Sequence, residues 1–158
     1  MIHMNLFIHI GLTHAQRDRA RQLKLHISMS VNEYKKTVQI EFTDQDSYSI
    51  EVAKIDVGDT IEWLPTNNGH NVEFLAGPKL NTLSRKSEID AFHSVVFKHP
   101  DVYLYQCTPH GNMGMLGLII VGEDFHNLES IKKIELSRVS ASVLKRLIRI
   151  AQSRTNSL

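Results

Sequence analysis

Apolar and polar positions alternate from residue 37 onward. Val38, Ile40 and Phe42 are spaced by Gln39 and Glu41, and Tyr48, Ile50 and Val52 are spaced by Ser49 and Glu51. A further run carries Ile61, Trp63 and Leu64. Period two predicts half-buried strands over residues 38–42, 48–52 and 60–64, with Trp63 packed inside. Asp44-Gln-Asp46-Ser and Val57-Gly-Asp59 supply the intervening turns. Asp44 and Asp46 have the spacing that opens a calcium loop, but the Gly and terminal Glu of such a loop are missing, so a polar turn is the reading. Residues 91–97 and 101–107 are strand-like again. Leu116-Gly-Leu-Ile-Ile-Val121 has no alternation at all, the mark of a strand covered on both faces.

The period changes on either side of this region. Beyond Gly122, Asn127 is placed to cap a helix over residues 128–134. Ser140 or Ser142 is placed to cap a second helix, whose stripe is Val143, Leu144, Leu147, Ile148 and Ala151, with Lys145, Arg146 and Arg149 outside it. Before residue 37, an apolar run around Leu6 to Leu12 passes into the charged stretch Gln16-Arg-Asp-Arg-Ala-Arg-Gln-Leu-Lys24. That order is the reverse of a secretory leader, so an amphipathic or frayed lead is the expectation. His3, His9 and His14 have no metal-ligand spacing there and are expected to be solvated. The chain therefore divides into a leading segment (1–35), leader-like or poorly ordered, a β-sandwich (36–123) and a helical extension packed on it (124–158).

Composition narrows the function. Residues 36–123 hold 6 Lys and Arg against 12 Asp and Glu, while the whole chain is only +1, so an acidic body lies between basic flanks. Nucleic-acid binding needs clustered cations on the body itself and is excluded. No apolar run reaches the roughly 20 residues of a membrane-spanning helix. The single cysteine, Cys107, can form no internal disulfide, so its thiol is there for packing, reactivity or metal binding.

Its surroundings choose among these. Cys107-Thr-Pro-His110-Gly-Asn-Met113-Gly-Met115 puts a thiolate, an imidazole and thioethers into one loop between two strands. One Cys, two His and a long axial Met form the trigonal site of blue-copper proteins: sulfur stabilises Cu(I) and imidazole accommodates Cu(II). The second imidazole is expected from Thr66-Asn-Asn-Gly69-His70, a run of turn formers that precedes another apolar alternation. His93 and His99 have no ligand neighbour in sequence and read as surface or turn residues. A thiol hydrolase would need an orienting partner and an oxyanion hole, for which a tight strand connection has little room. Cys107, Met113 and Met115 as plain packing residues are each unremarkable alone, but improbable as a set.

These residues resemble the cupredoxins, and among them the pseudoazurins. Gly69-His70-Asn71-Val72-Glu73 matches one family motif, and Cys107 through Met115 matches the other. The similarity runs from about Thr37 to the C-terminus. It implies a Greek-key β-sandwich with two C-terminal helices and one type 1 copper held by His70, Cys107, His110 and Met115. Asn71 is then the residue that pins the two loops, with Met113 and Pro109 as neighbours of the ligands rather than ligands. It also implies a periplasmic one-electron carrier, not an enzyme. Its partners would be redox proteins such as a nitrite or nitrous-oxide reductase or a c-type cytochrome, met transiently near His110. A non-redox copper module for storage, delivery or sensing is the alternative. Two positions depart from the family: Gly111 stands where a larger, often aromatic residue is common, and uncharged Asn68 and Gln106 stand beside the ligand motifs where lysines are usual.

Overall fold

The computed structural model describes residues 13–31 and 35–153. The apolar run of residues 6–12, together with His3 and His9, lies outside them. The chain divides into two compact units, Met1–Tyr34 and Lys35–Leu158. In the first, residues 14–31 form the helix α1 (His14–Val31). It opens on a capping box: the Thr13 N–H donates to Gln16 Oε1 (2.9 Å) and the Gln16 N–H to Thr13 Oγ1 (3.4 Å). His14 is exposed.

The second unit is two packed sheets. β1 (Thr37–Glu41), β3 (Thr60–Leu64) and β5 (His93–Val96) form one, with β3 central, parallel to β1 and antiparallel to β5. β2 (Val52–Ile55), β7 (Leu116–Val121), β6 (Asp101–Gln106) and β4 (Glu73–Ala76) form the other, in that order. Here β2 is parallel to β7 and the remaining pairs are antiparallel, with a register shift between Phe74 and Ala76.

One expected strand is displaced. Residues 48–52 alternate as a strand would, yet the ladder runs over Val52–Ile55, and Tyr48 makes only an isolated bridge to Phe42. This is the stretch where the chain crosses from the first sheet to the second. Its alternation records which side chains enter the core, not hydrogen-bonded pairing. Tyr48 is buried, and its hydroxyl donates to the Asn71 carbonyl (2.8 Å).

Two apolar layers result, and β6 and β7 serve both. Tyr103, Tyr105, Ile119 and Val121 face the inter-sheet core with Trp63, Phe74 and Phe97. Val102, Leu104, Leu116, Leu118 and Ile120 face the helices α2 (Leu128–Lys132) and α3 (Arg138–Gln152) through Leu128, Ile131, Leu144, Leu147, Ile148 and Ala151. β7 is buried at every position, which accounts for its unbroken apolar run. The cap of α3 is Ser137, one turn ahead of the expected serines, accepting from the Ser140 N–H. Asn127 is the N-cap of α2 as expected, its carbonyl accepting from the Ser130 and Ile131 N–H groups, but its side chain makes no capping bond and pairs instead with both backbone groups of Val102 (3.0 and 2.8 Å), tying α2 to β6. Among the described residues, no helix is long and apolar enough to cross a membrane.

Candidate metal centre

Two loops deliver the donors. The first carries His70 and is held by Asp90, whose Oδ1 accepts from the Gly69 N–H (2.6 Å) and the His70 N–H (3.3 Å), while the Asp90 N–H donates to the His70 carbonyl (2.8 Å). Gly69 takes φ of +90°, a conformation that favours glycine and turns His70 inward. The second loop leaves β6 at Cys107 and returns at Met115. The Cys107 N–H donates to the Met115 carbonyl (3.0 Å) and the Met115 N–H to the His110 carbonyl (3.2 Å), around a single 3₁₀ turn at Gly111–Met113.

Asn71 joins the loops. Its Oδ1 accepts from the Thr108 N–H (2.7 Å), and its Nδ2 donates to Thr108 Oγ1 (3.0 Å) and to the Ser87 carbonyl (3.2 Å). Thr108 Oγ1 donates in turn to Glu73 Oε2 (2.8 Å), which also accepts from Gln106 Nε2 (3.3 Å). From the other side, α3 grips the second loop: Ser137 Oγ donates to the Asn112 carbonyl (2.7 Å) and Ser140 Oγ to the Gly111 carbonyl. Sequence reasoning offered Ser140 only as a helix cap and did not single out Ser137. Their Ser-x-x-Ser spacing ahead of an apolar stripe is a helix-start signal, and nothing local shows that they also reach a loop some 25–29 residues earlier in the chain.

The donors meet at the end of the sandwich. His70 Nδ1 lies 3.1 Å from His110 Nδ1, and Cys107 Sγ lies 3.7 Å from the first and 3.4 Å from the second. From those three separations, the point equidistant from the donors is about 2.0 Å from each, the length of a first-row metal–imidazole bond. Both rings turn Nδ1 inward. Cys107 and Met115 are buried, His70 is 3% exposed and His110 21%, so His110 is the donor nearest solvent. Pro109 and Met113 are exposed beside it, Met113 at 59%.

Two of the donors are shifted by their surroundings. Burial and the neighbouring His110 hold His70 below the usual histidine range, with Asp46 and Asp90 opposing. Burial pushes the Cys107 thiol up, against backbone N–H bonds from Asn71 and His110. Two imidazoles, a thiol and a thioether are a donor set for a soft or borderline metal.

Residues 34–122 match the family of copper-binding proteins described as plastocyanin/azurin, more than half of the chain. The chain belongs to this family. It is 41% identical over 95 residues to a putative pseudoazurin of Rhizobium leguminosarum bv. viciae, covering 60% of each protein. It is 33% identical over 90 residues to a pseudoazurin of Methylorubrum extorquens, covering 56% of this chain and 61% of that one. The chain thus spans about three fifths of the length of these curated relatives. Among solved structures, the pseudoazurin of Methylobacterium extorquens AM1 superposes with a TM-score of 0.64 at 28% identity, over 72% of this chain and 98% of that one. A Sinorhizobium pseudoazurin gives 0.66 at 27%, over 75% and 98%. The two-sheet cupredoxin fold with C-terminal helices is therefore the fold of this chain, and copper, at one centre, is its metal.

Further histidines, and a second cluster of carboxylates, lie apart from this centre. His93 is not a surface residue: it is buried on β5, its Nε2 3.1 Å from the Ser84 carbonyl and its ring 5.6 Å from Trp63. His99 is half-buried. Asp101, Asp124 and His126 also come within 4.8 Å of one another. Their carboxylates are already engaged by the N–H groups of Asn127 and His126 and by the His126 ring. The Gly111 departure has a local reason. A Cβ there would stand 2.2 Å from Gln106 Oε1, so the Gln106 amide fills the space a larger residue would need.

Proposed function

We propose that this chain is a type 1 copper electron carrier, with His70, Cys107 and His110 as the strong ligands and Met115 as the weak axial one. The observation that carries the reading is the triangle of inward-facing Nδ1, Nδ1 and Sγ atoms, sized for one metal ion, with a buried methionine closing the same loop. Bound copper supplies a Cu(II)/Cu(I) couple, sulfur favouring the reduced ion and imidazole tolerating the oxidised one.

The protein's own part is to hold the donors still. Asp90 fixes the His70 backbone, Asn71 fixes Thr108 beside Cys107, and the α3 serines fix Gly111 and Asn112 beside His110. A donor set that does not move between oxidation states keeps reorganisation small. Its burial leaves no open position for a substrate, which separates a carrier from an enzyme. Electrons would pass through the His110 edge, where Pro109 and Met113 offer a small apolar rim for a transient redox partner. A nitrite or nitrous-oxide reductase or a c-type cytochrome is the partner class, and the periplasm the compartment, that the pseudoazurin likeness supports.

Adding Cu(II) to metal-free protein tests the reading. A carrier develops an intense blue thiolate-to-copper band and cycles reversibly. Cys107→Ala abolishes the band, whereas Met115→Gln keeps it and shifts the potential. A weakly coloured adduct that does not cycle would instead establish the non-redox copper module.

A further inference from the structure

Outside the four donors, among the described residues, one charged side chain addresses both imidazoles. Asp46 Oδ1 stands 3.7 Å from His70 Nε2 and 3.7 Å from His110 Nε2, the two ring nitrogens that face away from the metal point. The approach is held by the backbone. Residues 43–47 form a closed turn in which the Thr43 N–H donates to the Ser47 carbonyl (2.9 Å) and the two hydroxyls pair at 2.6 Å. Asp46 sits within it at φ of +51°, the left-handed region that Asp and Asn tolerate better than other side-chain-bearing residues. The Phe42–Tyr48 bridge anchors the base of the turn, and Phe42 packs edge-on against the His70 ring at 5.8 Å. Asp90, the other carboxylate close to His70, is bonded to backbone N–H groups, which leaves Asp46 as the carboxylate at the ring edges.

We propose that Asp46 is a positioning residue of the copper centre: it faces the outer nitrogens of both ligand histidines and sets the reduction potential low. This rests on the copper reading above. When bound to metal through Nδ1, each ring carries its proton on Nε2, and a carboxylate facing that N–H makes the imidazole a stronger donor. The same negative charge, one ring away, favours the more positive oxidation state by direct attraction. Both effects stabilise Cu(II). At 53% exposure the carboxylate is partly screened, so its effect depends on salt.

The test compares wild-type protein with Asp46→Asn and Asp46→Lys, all loaded with Cu(II). Visible spectra and spectroelectrochemical potentials are recorded in low and high salt. Asn keeps the shape and the left-handed backbone, and is expected to shift the preference towards Cu(I) by about three- to tenfold, or about 30–60 mV for one electron. Lys moves two unit charges and is expected to shift it further in the same direction. The differences should shrink as salt rises, which a merely structural role would not produce. A blue band in all three proteins with equal potentials, or a potential that falls in Asp46→Asn, overturns the role of Asp46 alone. No blue band even in the wild type overturns the ligand assignment and this proposal with it.

Discussion

Replacing Asn71 with alanine tests how much of the site's order depends on a single side chain. Asn71 is 1% exposed and its side chain makes three hydrogen bonds, two to Thr108 and one to the Ser87 carbonyl. Each is worth about 1 kcal/mol net, and the truncation also strands the Thr108 N–H and the Ser87 carbonyl. Any water that enters recovers part of that penalty. The expected loss is about 2–4 kcal/mol, well above the effect of an ordinary surface change. Urea unfolding of the metal-free protein reads it: at a slope of about 2 kcal/mol/M, the midpoint falls by about 1–2 M. Thr108→Val is the control. It removes only the hydroxyl's two bonds at a more exposed position and is expected to cost about 1 kcal/mol. Because Asn71 sits between the loops, Asn71→Ala should also broaden or weaken the blue band of the copper-loaded protein. A midpoint shift below about 0.3 M together with an unchanged band would refute the claim that Asn71 pins the loops.

Three further perturbations probe separate contacts. In Gly117→Ala the new Cβ would lie 2.2 Å from Tyr105 Cζ, and Tyr105 is itself wedged against Tyr48 (4.7 Å) and Trp63 (5.3 Å). It should cost about 3 kcal/mol in thermal unfolding, with Tyr105→Leu in the same chain recovering part of it. Gly111→Tyr must expel the Gln106 amide and should cost about 1–2 kcal/mol, while Gln106→Ala in the same chain should recover at least half, a coupling read by a double-mutant cycle. Burial holds His93 below the usual histidine range, so the unfolded chain takes up a proton that the native state refuses. Its contribution is present above a pH of about 6.5 and is lost as pH falls below it. Denaturation of metal-free His93→Gln across that range should show a flatter profile than the wild type, and parallel profiles would count against it.

The sandwich and both halves of the donor set were legible because they are local. Val38, Ile40 and Phe42 alternate within five residues, β7 is apolar at every residue but Gly117, and Cys107, His110 and Met115 share one loop. What escaped is what depends on contact between distant parts of the chain. Tyr48 looks like a strand residue because its ring enters the core, and only the sheet order shows that the ladder starts at Val52. His93 looks like a surface histidine until Trp63, thirty residues earlier, is seen beside it. Asn127 is the cap position the sequence shows, yet its side chain is spent on Val102 across a strand and a turn. The capping box of Thr13 and Gln16 was available in the sequence but was masked by the unusual order of apolar and charged residues around it.

The same distinction bears on which residues can be exchanged without losing the centre. The ligand loop closes on itself through the Cys107 and Met115 backbones, so its spacing brings Cys107, His110 and Met115 together locally. His70 has no such tie. It comes from 37 residues upstream of Cys107 and is placed by Asp90 below, Phe42 beside it and Asn71 next in the chain. Changes within the second loop should therefore alter the kind of metal site formed, whereas changes at Asp90, Phe42 or Asn71 should alter whether the fourth donor arrives at all. The α3 serines add a third anchor, from residues that lie beyond the 34–122 family match. Truncating the chain after residue 122 would thus keep all four donors yet release Gly111 and Asn112, and strip the apolar cover from Leu116, Leu118 and Ile120. Those three side chains lie on β7, the strand that carries the loop's return. The C-terminal helices are therefore part of the metal centre's support, and not only a lid on the sandwich.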